Sequence, residues 1–371
     1  IEACGHVLDC GQSHPIDRRG HPLSAPSNRV GRALALIAPG TEVRDGLDRI
    51  VHGRTGALVT LGNNARLQVL ATGGFAIDVP LTGTALRELA KMDGAIILND
   101  ALDRILFAGV HLMPDASVQT TETGTRHRTA DRVAGQTGVP TVTVSASMST
   151  ISLFADGQRW VVQRPEQLLA RANQALATLS RYSDRLTEAT ARLSAAEVQD
   201  AATVRDFVLV AQRLEMVRRL RQEVTGYAIE LGTDARLLRL QLQELVSGLD
   251  ELGRQLERDY DDGTTPPHLA RLAALDTDDL AHPALIAQAC GLGDDLSHRI
   301  AARGHRQLAQ IARLAPSVAD SLVLHFGNLQ GLFAATTADL LAVEGVDYAI
   351  ARMVREGLIR LAESGYFERL D

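Results

Sequence analysis

The chain has 371 residues, room for two or three domains, and its 45% hydrophobic and 22% charged residues exclude wholesale disorder. It contains no apolar run long enough to span a bilayer, so we expect a soluble protein without a membrane partner. A net charge of −7 excludes general electrostatic affinity of the whole chain for nucleic acid, and three cysteines are too few for a disulfide framework, which predicts a cytoplasmic location.

Residues 1–30 are rich in Gly, Pro, Ser and His, lack apolar periodicity and begin with Ile1 instead of Met. We therefore expect a disordered or non-native leader. The alternative is a zinc site, but the spacing lacks the paired cysteines of structural zinc sites. The candidate ligands for that weaker interpretation are Cys4, His6, Cys10 and His14.

Residues 31–165 are predicted to form an α/β domain in which a mixed or parallel sheet is flanked by helices. Two helices are expected between Asn28 and His52, separated by Pro39-Gly40, with Thr41 as the N-cap of the second. Short apolar and β-branched runs predict strands near residues 56–62, 95–98, 105–107, 139–144 and 151–154. Helical spacing predicts helices at 84–92 and at 128–138, the latter ended by glycine.

The composition changes after Pro165. There is no glycine between Gly157 and Gly226 and no proline between Pro165 and Pro266, while Leu, Ala, Arg and Glu dominate. This pattern predicts an all-α spine over residues 166–267, closed by a turn or hinge at 261–267, that serves as a spacer, an oligomerisation stalk or both.

Residues 268–371 are predicted to form short helices. Residues 338–347 run into a second helical stretch over 349–361, with Gly345 in the turn between them. A helix, a tight glycine turn and a second helix are the outline of a helix-hairpin-helix module. The turn and the following helix N-terminus of such a module offer backbone N–H groups to a phosphate.

Hydrogen-bond donors are concentrated at residues 122–132, where a helix is expected to begin. Gly124 permits an unusual turn or the close approach of a ligand. Hydroxyl, guanidinium and imidazole groups follow it, and a helix N-terminus itself favours an anion. The segment therefore indicates a polyphosphate site; the alternative is a solvated, Arg-rich helix start. The donors are Thr125, Arg126, His127, Arg128 and Thr129.

Asp93 lies between a predicted helix and a predicted strand, followed by Gly94. Its carboxylate could hold a divalent cation beside phosphates and accept the proton of an attacking hydroxyl; the alternative is a turn aspartate that caps backbone amides. Lys91 is the only lysine and lacks the glycines of a Walker A loop, which also excludes the protein-kinase signatures. Bound nucleotide phosphates would meet arginines, backbone amides and metal.

Together the two segments resemble the signature motifs of diadenylate cyclases: Asp93-Gly94-Ala95 within residues 88–98, and Arg126-His127-Arg128 within 122–130. The order of a cyclase domain, a helical spine and a helix-hairpin-helix domain is similar to that of the DNA-integrity-scanning members of this family, not the membrane-tethered ones. The resemblance covers residues 31–364. It implies that two ATP molecules condense to cyclic di-AMP and two pyrophosphates where two cyclase domains meet face to face.

The resemblance also implies roles for individual residues. Asp93 would bind Mg²⁺ or Mn²⁺ and help to activate the 3′-hydroxyl, Gly94 would let the nucleotide approach the backbone, and Leu112 would contact the nucleotide. The triphosphate would be held by Thr125, Arg126, His127, Arg128 and Thr129, and the catalytic set would be Asp93, Arg126, His127 and Arg128.

The resemblance implies that the helical spine and the pairing of cyclase domains build an octamer. For the C-terminal domain it implies binding of branched DNA, which dampens cyclase activity, and an association with the nucleoid. The chain departs from the family pattern: Gly345-Val346-Asp347 replaces Gly-hydrophobic-Gly, and Ala312 replaces a proline. From residue 296 onward the chain has eight arginines and eight acidic residues, so this part carries no net positive charge. We therefore expect weakened DNA binding, with contacts from Gly345, Arg352 and Arg355.

Three other interpretations remain open at this point. The C-terminal helices could serve only for packing or oligomerisation. The whole chain could be a non-catalytic, nucleotide-sensing DNA-binding scaffold, although the intact Asp93 and arginine motif speak against it. A junction-processing nuclease would need an acidic metal cluster, and the sequence has only the scattered Asp100, Asp103 and Asp115.

Overall fold

The computed structural model describes residues 28–261 and 267–367. Residues 1–27 of the expected leader, with all four candidate zinc ligands, and residues 262–266 of the expected hinge lie outside this part of the chain. The chain divides into two compact units. The first comprises residues up to 174 together with 222–240, and the second comprises 175–221 together with the residues from 241 onward.

The first unit contains a sheet and the helices that cover it. Its helices are α1 (Asn28–Leu36), α2 (Glu42–His52), α3 (Ala65–Leu70), α4 (Gly83–Leu89) and α5 (Thr125–Thr137). Its strands are β1 (Ala57–Thr60), β2 (Ala71–Thr72), β3 (Phe75–Pro80), β4 (Ala95–Leu98), β5 (Arg104–Leu112), β6 (Thr141–Ser145), β7 (Thr150–Ala155) and β8 (Gln158–Val162).

Among the described residues, the eight strands form one mixed sheet in the order β2-β5-β4-β1-β6-β7-β8, with β3 also paired to β5. β1 runs parallel to β4 but antiparallel to β6, so the prediction of a mixed sheet is confirmed. Buried side chains fill both faces: Leu47 and Leu86 pack on one with α2 and α4, and Leu67 and Val133 on the other with α3 and α5. β1 and β4 are buried on both faces, which is why they read as continuous apolar runs.

Local capping explains where the site helices begin and end. Thr41 accepts a hydrogen bond from the Arg44 N–H and caps α2, as predicted. Gly138, at φ +72°, ends α5, also as predicted. The start of α5 differs from the expectation, because Gly124 is the N-cap and the helix begins at Thr125 instead of residue 128. Thr125, Arg126 and His127 therefore belong to its first turn.

Where an all-α spine is expected, the structure has two long helices, α6 (Pro165–Val198) and α7 (Val204–Glu230), followed by α8 (Arg236–Leu245) and α9 (Leu249–Asp259). The break between α6 and α7 contains neither Gly nor Pro. Asp200 adopts φ +54°, and the Asp206 carboxylate accepts hydrogen bonds from the N–H and hydroxyl of Thr203, which restarts the helix. Composition alone does not reveal such a side-chain cap.

The C-terminal helices are α10 (Pro283–Cys290), α11 (His305–Leu308), α12 (Pro316–Phe326), α13 (Leu329–Ala334), α14 (Thr337–Leu341) and α15 (Tyr348–Phe367), with 3₁₀ turns before α10 at Leu269–Ala274 and Asp279–Ala281. A further 3₁₀ turn, Gly232–Ala235, lies between α7 and α8. A small core around Leu308, Leu322 and Val354 holds the last of them together. The expected helix, glycine turn and helix are present as α14, Gly345 at φ +84° and α15. Within the described residues, no helix is both long and apolar enough to cross a bilayer.

Candidate functional site

Asp93 lies in the turn that joins α4 to β4. Its side chain is 92% exposed. Its Oδ1 accepts a hydrogen bond from the Gly94 N–H at 3.1 Å, so the carboxylate is held toward its own turn while the rest of its acceptor capacity faces solvent. An exposed carboxylate beside a rigid sheet can bind a cation or accept a proton.

Gly94 allows this turn to lie directly against β5. Its φ is +111°, and a Cβ atom at this position would lie 2.6 Å from the carbonyl carbon of Gly109 and 2.9 Å from the Val110 nitrogen. A real side chain would therefore collide with backbone that cannot move. The structure gives Gly94 an architectural function, and its expected closeness to a nucleotide stays a prediction.

The N-terminus of α5 has the features that favour an anion. The N-cap residue, Gly124, is extended and has no side chain with which to satisfy the first amides of the helix. α5 has 13 residues, so its backbone dipoles add to a positive N-terminal end. Thr125 stands at the first helical position and Thr129 one turn later, which places both hydroxyls on the same side of the helix.

Arg126 joins this helix end to Asp93. Its Nη2 lies 3.9 Å from Asp93 Oδ1, and its side chain is 49% exposed. The guanidinium passes over Gly56, where a Cβ atom would lie 2.8 Å from Nη1. The two motifs, separated by more than thirty residues in the sequence, thus meet in space. The function of Gly56 was not predicted; its only sequence signal is a glycine before a buried strand.

His127 points into the domain instead of toward Asp93. The residue is 9% exposed, its ring meets Phe154 of β7 edge-on at 6.0 Å, and within the described residues its buried Nε2 has no hydrogen-bond partner. Burial, aided by the positive charge of Arg159 and opposed by Glu122, lowers the pKa of His127 below its ordinary value. This shift favours the neutral ring, which lies inside the fold. The expected contact of His127 with the triphosphate stays a prediction.

Arg128 and Leu112 also have structural contacts. Arg128 Nη2 donates to the Thr123 carbonyl at 2.9 Å, so this guanidinium folds back onto the segment before α5. Leu112, at the end of β5, is 8% exposed and packs in the core beneath α5. Of the predicted nucleotide ligands, Arg126 is the one whose side chain the structure brings to Asp93.

A divalent metal fits this site only together with a ligand that brings more oxygen atoms. Within the part of the chain that the structure describes, no group of three or more His, Cys, Asp or Glu side chains could enclose a metal ion. Mg²⁺ commonly uses one or two carboxylates, water and the phosphates of a substrate. The single exposed carboxylate of Asp93 suits that mode and would not hold a metal tightly alone.

The predicted DNA-contacting residues lie in the second unit. Arg352 is 72% exposed and forms a 2.7 Å ion pair with Glu356, whereas Arg355 Nη1 donates to the Ala335 carbonyl at 2.6 Å and braces α15. Asp347 Oδ1 accepts the Ile350 N–H at 2.8 Å, so the aspartate caps α15. That cap occupies an amide that a phosphate would otherwise meet.

Comparison with known proteins finds family models that match two stretches of the chain. Residues 44–159 match the family model described as DisA bacterial checkpoint controller nucleotide-binding, and residues 162–298 match the DisA bacterial checkpoint controller linker region. The DNA integrity scanning protein DisA of Frankia alni is 51% identical over 93% of this chain and 98% of its own length. That of Acidothermus cellulolyticus is 49% identical over 95% and 98%, respectively. A solved structure of a DacA double mutant from Staphylococcus aureus is 25% identical, with a TM-score of 0.29, over 36% of this chain and 88% of that one.

Proposed function

The chain belongs to the DisA family and is a diadenylate cyclase, and on this premise we propose that it condenses two ATP molecules into cyclic di-AMP and two pyrophosphates at a site completed by a second copy of the chain. The observation that carries the proposal is the 3.9 Å approach of Arg126 to Asp93 beside the N-terminus of α5. A carboxylate, a guanidinium and a set of free amides at one place match the needs of a nucleoside triphosphate.

Each part has a chemical function in phosphoryl transfer. The α5 amides and Arg126 bind phosphate oxygens and stabilise the negative charge that develops on them. Asp93 accepts the proton of the attacking 3′-hydroxyl. Asp93 would also hold Mg²⁺ or Mn²⁺, which, when bound, neutralises phosphate charge. His127, Arg128 and the Thr123–Gly124 backbone keep the helix end in position.

Exposure supports the participation of a second copy. Asp93 is 92% exposed and Arg126 49% exposed, so one chain provides an open half-site rather than an enclosed pocket. The reaction needs two nucleotides, each presenting its 3′-hydroxyl to the α-phosphate of the other. Two half-sites facing each other would satisfy this requirement and exclude water. The proposed oligomer is the octamer, which light scattering coupled to gel filtration would measure.

The test is cyclic di-AMP formation measured by mass spectrometry with ATP and Mg²⁺. We expect Asp93→Asn to lower the rate by about 100-fold or more while ATP binding persists, since one charge-handling group is commonly worth that factor. Asp156→Asn is the matched control, because Asp156 is a turn residue at φ +51° between β7 and β8 and asparagine tolerates that conformation. A near-parental rate for Asp93→Asn would refute the role of this carboxylate.

We propose in addition that residues 268–371 form a DNA-binding domain that binds branched DNA weakly and thereby regulates the cyclase. The exposed Arg352 and the turn at Gly345 support a phosphate contact, while the neutral charge and the Asp347 cap limit its strength. Asp347→Gly should tighten binding to a four-way junction, because glycine frees the amide at little cost to the helix. Glu344→Gln removes one negative charge without touching the cap. Equal effects of the two variants would mean that only net charge matters.

A further inference from the structure

We propose that Glu122 and Arg159 form a positioning pair, which fixes the segment entering α5 and so determines where the helix N-terminus holds the phosphates of the nucleotide. This inference rests on the proposed function. It adds to the site two residues that belong to neither signature motif. Neither residue contacts Asp93 in the structure; both would act through the backbone between Glu122 and Thr125.

The pair connects the segment before α5 to the sheet. Arg159 Nη1 lies 3.0 Å from Glu122 Oε2 and 3.3 Å from Oε1, and Arg159 Nη2 donates to the Ser152 hydroxyl at 3.3 Å. Arg159 is on β8 and Ser152 on β7, which pair in antiparallel register. The Glu122 carboxylate is therefore tied to two adjacent strands, a rigid support.

The pair is partly shielded from solvent, so it differs from an ordinary surface ion pair. The Glu122 side chain is 14% exposed and that of Arg159 33% exposed. Exposed pairs contribute little because water competes for both charges, and the loss of one partner of a shielded pair leaves the other without compensation. Removing either residue should therefore disturb the segment.

The tethered segment has two further anchors. Arg128 donates to the Thr123 carbonyl, and the buried His127 ring packs against Phe154. Gly124 and the first amides of α5 stand directly between these contacts. The ion pair fixes Glu122, and Arg128 and His127 fix the residues that follow it. The Glu122–Arg159 pair therefore controls the position of Gly124 relative to the sheet.

Charge provides a way to separate positioning from simple electrostatics. Glu122 alone would bring a negative charge close to an anion site, and Arg159 cancels it. Glu122→Gln and Arg159→Gln both break the ion pair, but the first makes the local charge more positive and the second more negative. A purely electrostatic function predicts opposite changes in nucleotide affinity, whereas a positioning function predicts losses in both variants.

The experiment compares these two variants with Arg104→Gln. Arg104 on β5 pairs with Asp78 on β3 at 2.6 Å in the same sheet, but it is 41% exposed and remote in sequence from the α5 entry, which makes it the matched control. Binding of a non-hydrolysable ATP analogue is measured by calorimetry, together with kcat, KM and melting temperature.

We expect Glu122→Gln and Arg159→Gln each to weaken analogue binding and to lower kcat/KM by about tenfold or more, because small misplacements of a binding group are costly. Arg104→Gln should stay within about twofold of the parent on the same scale. The exchanged double variant E122R/R159E should recover part of the loss in kcat.

Three results would overturn the inference: parental values for both variants, affinity changes of opposite sign, or equal losses in the Arg104→Gln control. A parent chain that binds the analogue yet forms no cyclic di-AMP would instead refute the proposed function, and the binding data would still decide the positioning role.

Discussion

A buried carboxylate at the end of α7 makes the stability of the first unit depend on pH. Glu230 is 8% exposed, and its Oε2 accepts a hydrogen bond from Trp160 Nε1 at 3.1 Å. Burial raises the pKa of Glu230 to about 7 from the ordinary 4.5, although the Trp160 hydrogen bond and the charges of Arg44 and Arg171 oppose the rise. The folded unit therefore prefers the neutral carboxyl.

The direction of the effect follows from proton binding. Between the unfolded pKa of 4.5 and the folded pKa of about 7, the folded state binds more protons than the unfolded state. The free energy of unfolding consequently falls as the pH rises through this window, and the stabilisation present below it is lost above it. At 1.36 kcal/mol per pKa unit, the full loss is about 3 kcal/mol.

Glu230→Gln should remove this loss, because the glutamine oxygen still accepts from Trp160 and carries no charge. We expect equal stability of parent and variant near pH 4.5, and a variant more stable by about 3 kcal/mol near pH 8. The assay is urea unfolding followed by fluorescence of Trp160, the chain's only tryptophan and the direct partner of the changed residue.

The matched control is Glu223→Gln, an exposed carboxylate on the same helix that accepts the Tyr227 hydroxyl. The difference in free energy of unfolding between this variant and the parent should not increase with pH. A Glu230→Gln gain that is the same at pH 5 and pH 8, or a comparable pH-dependent gain in Glu223→Gln, would refute the assignment of the raised pKa to burial of Glu230.

Three further predictions follow from other parts of the chain. Gly94→Ala should lower the stability of the fold by about 1–3 kcal/mol, because φ is +111° and the Cβ atom would meet β5. Gly135→Ala in α5 should not, because among the described residues a Cβ there would meet no atom beyond its own helix backbone and chain neighbours within 4 Å; thermal melting compares the two variants. Chelation by EDTA should stop cyclic di-AMP formation without lowering the melting temperature of the nucleotide-free protein, and a lowered melting temperature would point to a structural metal. Glu197→Gln should cost about 3 kcal/mol in chemical denaturation, because it removes the closer of the two carboxylates, Glu197 and Asp259, that pair with the 3% exposed Arg306. Glu356→Gln at the exposed Arg352 pair should cost little.

The central strands could be predicted and the edge strands could not. β1 and β4 are covered on both faces and read as uninterrupted apolar runs. β3 lies beside β5, most of its residues are exposed, and it contains Asp78 and Pro80, so its sequence lacks the period of a buried strand. The same reasoning accounts for β8, whose pattern mixes a buried Trp160 with the ion-paired Arg159.

The sequence allowed the two motifs to be assigned to one site, but the orientation of their side chains could not be predicted from it. Helical spacing places Arg126, His127 and Arg128 in successive directions around α5, about 100° apart. Which of the three faces Asp93 depends on how α5 is rotated on the sheet. That rotation is determined by contacts outside the motif: Phe154 receives His127, and the absent side chain of Gly56 leaves room for Arg126.

Burial separates the residues that we propose to bind the nucleotide from those that we propose to support them. Asp93 and Arg126 remain accessible at 92% and 49% exposure, while Glu122, at 14%, and His127, at 9%, lie below them. A group that must meet a charged substrate cannot be covered by its own chain, and a group that must hold the first in place is stronger when water does not compete for its contacts. Under the proposed function, the half-site is in place before a nucleotide binds and stays open on the side that a second copy would cover. This division explains why the supporting residues extend beyond the two motifs that identify the family.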